Sequence, residues 1–352
     1  MNMIKRTAAV ILLAVLLFSL GACREEVPQY TFEDIYVIMR TNGYNIGSLN
    51  KFNVLTHEYS VLCPDPVCKH TKEEGCLFAE STYTVTNGSD VFFVSNGKIY
   101  KDPSTGVAML PQTFCRYNYD RGEVTELCTV PGTRFEGVQG HIDYDGGYVY
   151  YCLRANDPTK ISFKLWRVSE NGGEPEDMKL ELPIWVSNVA AGKAYCETDG
   201  AMHTVDLATG EWTKLYTFGE GKNVSVREVE KDGCMIVHRY GDQVHEFVRV
   251  RPDGSEETLV TLTDCGGAVC YKNWVYYHNA DRTILYAYSI PEEKSYHVCT
   301  MDTEAYEKNT RLFPCGLGIV VDYLIRGRRL ANAREGVDFD RYVYLVKDFT
   351  PT

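Results

Sequence analysis

The chain has no excess of basic charge and none of the short motifs that mark common enzyme families. It carries 36 Lys and Arg residues against 48 Asp and Glu residues, which gives a net charge of −12. A protein that neutralises phosphates needs clustered Lys and Arg, so this balance excludes nucleic acid as a partner. No nucleophile elbow, HExxH motif, phosphate loop or EF-hand loop occurs in the sequence. The motifs therefore identify no catalytic residue.

Long hydrophobic runs are also missing beyond the first residues. After Cys23 no apolar stretch approaches the roughly 20 residues that a membrane-spanning helix needs. The apolar run from Thr7 to Phe18 follows Lys5 and Arg6 and ends just before Leu20-Gly21-Ala22-Cys23. A charged start, an apolar centre and a small-residue cleavage site form a secretory signal. We predict a signal peptide over residues 1–22 and export of the protein.

The cysteine directly after the small residues makes this segment resemble a bacterial lipoprotein signal. In that family the cysteine is lipidated and becomes the first residue of the mature protein. The resemblance implies lipidation at Cys23, a tether over residues 23–31 and attachment to the extracytoplasmic face of the cell membrane. Stable anchoring takes more than one acyl chain, and lipoprotein cysteines carry two or three.

The composition favours an all-β body. The chain has 25 Tyr, 14 Phe and 29 Gly. Aromatic and β-branched residues suit pleated surfaces, and frequent glycine suits many turns.

Apolar strands recur along the chain, and turn glycines recur with them every 38 to 50 residues, at Gly122, Gly172, Gly210 and Gly254. β repeats of about 40–50 residues are typical of propeller blades. We predict an all-β body over residues 32–349, a β-propeller of four-stranded antiparallel sheets. Seven blades are expected, or six if the first and last units are halves of one blade.

The repeats and the signal together resemble bacterial lipoproteins with a TolB-like or DUF5050-like β-propeller over about residues 32–349. Some members carry a Cys-x-Asp-Pro-x-Cys-x-His stretch after the first unit, and Cys63 to His70 fits that pattern. The resemblance implies no established catalytic activity.

An insertion at about residues 63–80 concentrates metal-binding side chains. Cys63, Cys68, His70 and Cys76 lie within fourteen residues. Three thiols and an imidazole suffice for a tetrahedral zinc site, although the spacing is not that of a standard knuckle. A disulfide, Cys63–Cys76 or Cys68–Cys76, is the alternative outside the membrane, and a redox role is the third. The sequence therefore does not identify a cofactor, and zinc at this loop is one candidate.

A second cysteine pair is predicted from hairpin geometry. If Arg121-Gly122 is a two-residue loop, Cys115 lies opposite Cys128 in a non-hydrogen-bonded pair. The Cα atoms there are about 4.5 Å apart, which is at the short end of the range for a disulfide.

We expect a membrane-anchored lipoprotein whose propeller serves as a binding or scaffolding module for a protein or glycan. One alternative is an exported glycan-active enzyme, a hydrolase or lyase, with its site on the propeller rim or channel. The other is a metal-binding or redox-sensing lipoprotein that acts through the Cys63–Cys76 loop.

Overall fold

The computed structural model describes residues 31–40, 48–130, 137–155, 161–218, 223–241, 243–300, 311–315, 318–322, 341–344 and 350–351. Residues 32–352 form one compact unit. The predicted signal peptide and Cys23 lie outside the described residues. Within the described part of the chain, no helix is long and apolar enough to cross a membrane.

Antiparallel sheets follow one another along the chain after the short helix α1 (Phe32–Ile35). The first sheet comprises β1 (Tyr36–Arg40), β2 (Leu49–Asn53) and β3 (Glu58–Val61). The second comprises β4 (Ser81–Thr86), β5 (Asp90–Asn96), β8 (Gln112–Asn118) and β9 (Glu123–Thr129), with a separate hairpin of β6 (Tyr100–Lys101) and β7 (Ala108–Met109). The third comprises β10 (Val138–Asp145), β11 (Tyr148–Arg154), β12 (Phe163–Ser169) and β13 (Glu176–Leu182).

The same meander continues in the second half. The fourth sheet comprises β14 (Asn188–Ala190), β15 (Lys193–Thr198), β16 (Ala201–Asp206) and β17 (Trp212–Thr217). The fifth comprises β18 (Asn223–Val229), β19 (Met235–Gly241), β20 (Val244–Val250) and β21 (Glu256–Leu262). The sixth comprises β22 (Cys265–Tyr271), β23 (Trp274–Asn279), β24 (Ile284–Ser289) and β25 (Lys294–Thr300), and β29 (Thr350–Pro351) joins its outer edge. The last sheet comprises β26 (Arg311–Cys315), β27 (Gly318–Asp322) and β28 (Arg341–Tyr344).

The two ends of the chain meet to close a ring. Strand β26 contacts β22, the first strand of the preceding sheet, and it also contacts β1. We count the two end sheets, β1 to β3 and β26 to β28, together as blade 1, and the sheets from β4 to β25 as blades 2 to 6. The β-propeller prediction is confirmed, and the six-blade alternative is the one observed. The seven-blade expectation counted the two end units separately, although they share one position in the ring.

The hydrophobic core is divided among the interfaces between blades. Among the described residues, six buried clusters lie at interfaces between neighbouring blades. The run from Asp90 to Asn96 shows why the strands are apolar on both faces, since every residue of β5 is buried. Strands packed between two neighbouring sheets bury both faces, so their sequences do not alternate.

Candidate metal centre

The Cys/His segment connects β3 to β4, at the junction between blades 1 and 2. Leu62, just before Cys63, is 0% exposed, and Phe78, shortly after Cys76, is 2% exposed. Both belong to the core cluster between these blades, and Cys63 and Cys76 pack against it. The two ends of the segment are therefore fixed by hydrophobic packing.

The structure brings the four predicted side chains together. The sulfurs of Cys63, Cys68 and Cys76 and a ring nitrogen of His70 lie within 4.8 Å of one another, and all four residues are half-buried. Two sulfurs bound to one tetrahedral ion at about 2.3 Å lie about 3.8 Å apart. The group is therefore close to the size that a bound metal ion requires.

Backbone N–H groups point at all three sulfurs. The N–H of His70 donates to Cys68 Sγ at 3.3 Å. Cys63 accepts a backbone hydrogen bond from Asp65, and Cys76 accepts them from Phe78 and Ala79. Each sulfur thus faces the N–H two residues further along the chain. Hydrogen bonds of this kind stabilise a thiolate, which is the form that binds a metal ion.

His70 is held in a costly conformation with an unpaired nitrogen. Its φ is +56°, a left-handed geometry that costs a non-glycine residue about 1–2 kcal/mol. Its Nδ1 is buried and has no hydrogen-bond partner. An unsatisfied buried polar atom costs about 1–3 kcal/mol. A ligand at this position would relieve the second cost.

The pKa values of the Cys63 and Cys76 thiols favour their protonated forms. Burial raises the pKa of Cys63 to about 12 and also raises the pKa of Cys76, and neighbouring thiols add to both shifts. A bound cation reverses this effect because it stabilises the thiolate directly.

Two acidic side chains of the segment are engaged with lysines. Lys69 Nζ lies 2.7 Å from Glu74 Oε1, and Lys72 Nζ lies 2.6 Å from Glu80 Oε2. These pairs brace the loop, and the ligand atoms that converge within it are those of the three thiols and the imidazole.

A second acidic group already has partners. Glu230, Asp232 and Cys234 also have ligand atoms within 4.8 Å of one another. Glu230, however, pairs with Arg249 at 3.3 Å, and Asp232 Oδ1 accepts the N–H of Cys234 at 2.9 Å.

The predicted cross-strand position of Cys115 and Cys128 is wrong. The turn contains four residues, because Asn118 pairs with Glu123, and the register shifts between Phe114 and Cys115. Cys128 therefore lies opposite Phe114, and Cys115 lies opposite Glu126. Both are free thiols in the structure, so the geometric argument for a bridge no longer holds.

Sequence analysis missed one cluster of interacting side chains. Arg227, His238 and His245 form a chain of hydrogen bonds on blade 5. The seven-residue spacing across the β19–β20 hairpin could have suggested the histidine pair. The position of Arg227 depends on a bulge that no sequence pattern announces.

Comparisons with known proteins support the fold alone. No protein-family model and no curated protein matches the chain. An oligogalacturonate lyase in complex with manganese matches at 14% identity, with 80% of each chain covered and a TM-score of 0.53. The Pyrococcus horikoshii acylaminoacyl peptidase matches at 11% identity, over 87% of this chain and 52% of the peptidase, with a TM-score of 0.47. Because a fold carries no activity by itself, the β-propeller is what the lyase likeness shows.

Proposed function

We propose that the protein is a membrane-anchored, extracytoplasmic binding module. Its propeller would carry a structural zinc site made by Cys63, Cys68, His70 and Cys76. The observation that supports the site is the convergence of four ligand atoms within 4.8 Å. The unpaired Nδ1 of His70 and the N–H groups directed at the sulfurs support it further.

The donor set favours zinc over hard cations. Thiolate and imidazole ligands suit zinc, whereas magnesium and calcium prefer oxygen. Four protein ligands fill a tetrahedral shell, and catalytic zinc sites keep one position for water. The proposed site therefore stabilises the fold and does not activate a substrate.

Zinc accounts for more of the geometry than a disulfide does. A bridge between two of the three cysteines would leave the third thiol free. It would also leave the Nδ1 of His70 unpaired. One zinc ion would use all three sulfurs and the imidazole together, and it would fasten the connection between blades 1 and 2.

The anchor and the ligand are proposed from the sequence. The lipoprotein-like signal supports lipidation of Cys23. A propeller held at the membrane surface presents its faces to extracytoplasmic proteins or glycans, which are the proposed partners.

Zinc content tests the site. The full chain, purified under reducing conditions, is analysed by inductively coupled plasma mass spectrometry. We expect about one zinc per chain, lost in Cys68→Ser and His70→Ala and kept in the matched control Cys128→Ser. Absence of zinc from the unmodified chain, or retention in both ligand variants, would refute the site.

Detergent partitioning tests the anchor independently. The full chain is expressed in a bacterial host, and its membrane fraction and intact mass are measured. We expect membrane association and a mass increase from acyl chains, both lost in Cys23→Ser. An unchanged distribution of Cys23→Ser would overturn the lipidation proposal and leave the zinc result unaffected.

A further inference from the structure

The two ends of the propeller carry different connections. In each four-stranded blade the turns after the first and third strands lie at one end, because neighbouring strands run antiparallel. Asn87, in the first turn of blade 2, donates to Glu170, in the last turn of blade 3, at 3.4 Å. We call this end the turn end. The Cys/His segment and the β6–β7 hairpin belong to the other connections and lie at the opposite end, which we call the linker end.

The chain enters the propeller at the turn end. Asp34, within helix α1, forms an ion pair with Lys272 at 2.9 Å, and Lys272 lies in the first turn of blade 6, between β22 and β23. The ring of Phe32 lies 4.6 Å from that of Tyr119, which is in the last turn of blade 2, between β8 and β9. Contacts with turns of two different blades therefore fix α1 at this end.

The length of chain before α1 limits which end can approach a lipid on Cys23. Nine residue steps join Cys23 to Phe32, and in any conformation they span at most about 30 Å. A strand of seven residues, such as β5, separates the two ends of a blade by about 23 Å. To reach the linker end, the tether would have to cover that length and also pass around the outside of the blades. The turn end is therefore the end within its reach.

Surface chemistry alone would favour the opposite orientation. Val67, Ile99 and Ile161 are 85%, 53% and 64% exposed, and all three lie in connections at the linker end. Exposed apolar side chains can enter the boundary between lipid headgroups and acyl chains. The chain has a net charge of −12, so it has no general attraction to anionic lipids. The point where the tether joins the propeller then decides which end faces the bilayer.

We propose that the turn end of the propeller faces the lipid headgroups of the membrane and that the linker end points away from them. The inference rests on the proposed lipidation of Cys23 and does not depend on the zinc site. In this orientation the Cys/His segment and the β6–β7 hairpin are the parts of the protein most accessible to extracytoplasmic partners.

Two tryptophans of similar exposure mark the two ends and make the orientation measurable. Trp212 is 39% exposed and lies beside the last turn of blade 4, whereas Trp185 is 41% exposed and lies in the connection from blade 3 to blade 4. The full chain, expressed in a bacterial host, is bound to vesicles of phosphatidylcholine and phosphatidylglycerol that contain dansyl-labelled phosphatidylethanolamine. Energy transfer from tryptophan to dansyl is then measured. We expect Trp212→Phe to remove a large part of the transfer and Trp185→Phe to remove little.

A longer tether and an unanchored chain are the controls. A second copy of residues 24–31, inserted after Thr31, should reduce the difference between the two tryptophan variants, and Cys23→Ser should show no transfer. Equal losses in the two variants, a larger loss in Trp185→Phe, or a difference that the longer tether leaves unchanged would overturn the orientation. Cosedimentation with the vesicles is measured on the same samples. An unmodified chain that does not cosediment would refute the lipid anchor as well, whereas a bound chain with the wrong orientation refutes this inference alone.

Discussion

The backbone N–H of His70 lies 3.3 Å from the sulfur of Cys68, within a loop where each of three cysteine sulfurs accepts such a bond. One residue therefore contributes both its backbone, to a neighbouring thiol, and its ring, to the same cluster. Metal sites depend on groups around the ligands that fix their orientation and charge. The loop supplies these groups from its own backbone.

Zinc should contribute directly to the stability of the fold. A ligand that binds only the folded state stabilises it by about 2.7 kcal/mol when present at 100 times its dissociation constant. We expect a chelator to lower the thermal unfolding temperature of the full chain, as followed by circular dichroism. Cys68→Ser should unfold early with or without chelator. Equal unfolding temperatures for the chain with and without chelator would contradict a structural metal.

Gly140 should resist substitution more strongly than Gly192. Both have positive φ, +77° and +72°, so alanine costs each about 1–2 kcal/mol of backbone strain. A Cβ at Gly140 would also lie 2.6 Å from Cδ1 of Trp185, whereas Gly192 has nothing within 4 Å. Urea unfolding should show Gly140→Ala to be less stable than Gly192→Ala by about 1–3 kcal/mol. Equal losses would mean that Trp185 does not lie over Gly140.

His278 should make the propeller sensitive to acid. It is 3% exposed, and neither ring nitrogen has a hydrogen-bond partner. Burial, with a smaller effect of Arg282, lowers its pKa to about 4. Because the ordinary pKa is about 6.5, its contribution to stability is present above that value and is lost as pH falls towards 4. His278→Leu should stabilise the chain by about 1–3 kcal/mol at pH 7 and more at pH 5. Urea midpoints at both values measure this, and a gain that shrinks at pH 5 would be contrary to the prediction.

The contribution of Asp143 to stability should change with pH in the opposite direction to that of His278. Burial raises the pKa of its carboxyl to about 7, and its Oδ2 accepts the N–H of Val189 at 2.8 Å. A raised carboxyl pKa gives stability that is present below about 3.9, the ordinary value, and is lost as pH rises through 7. Asp143→Asn keeps an acceptor for Val189, so it should be more stable than the unmodified chain at pH 8 and nearly equal at pH 4. Urea midpoints at the two pH values test this, and a variant that is less stable at pH 8 would disprove it.

The strands and the clustering of the cysteines with His70 were predictable because both depend on local sequence. The apolar run at Asp90 formed a strand buried on both faces, and the spacing from Cys63 to Cys76 was short enough for one loop to bring the four side chains together. The blade count was not predictable locally, because it depends on β26 and β1 meeting across the length of the chain.

Bulges account for most of the remaining differences between the positions expected from the sequence and those in the structure. The shift between Phe114 and Cys115 moved Cys128 away from its expected partner. The shift at Arg227 placed a cation beside two histidines that looked scattered in the sequence. A one-residue slip changes which side chains face each other, and the hydrophobic pattern alone does not reveal it.

X-ray absorption at the zinc edge tests the metal centre most directly. The full chain is measured after purification with its bound metal, and the first coordination shell is fitted. We expect three sulfur ligands at about 2.3 Å and one nitrogen ligand at about 2.0 Å. A shell of oxygen and nitrogen alone, or one with fewer than three sulfurs, would contradict the assignment of Cys63, Cys68, His70 and Cys76 as the zinc ligands.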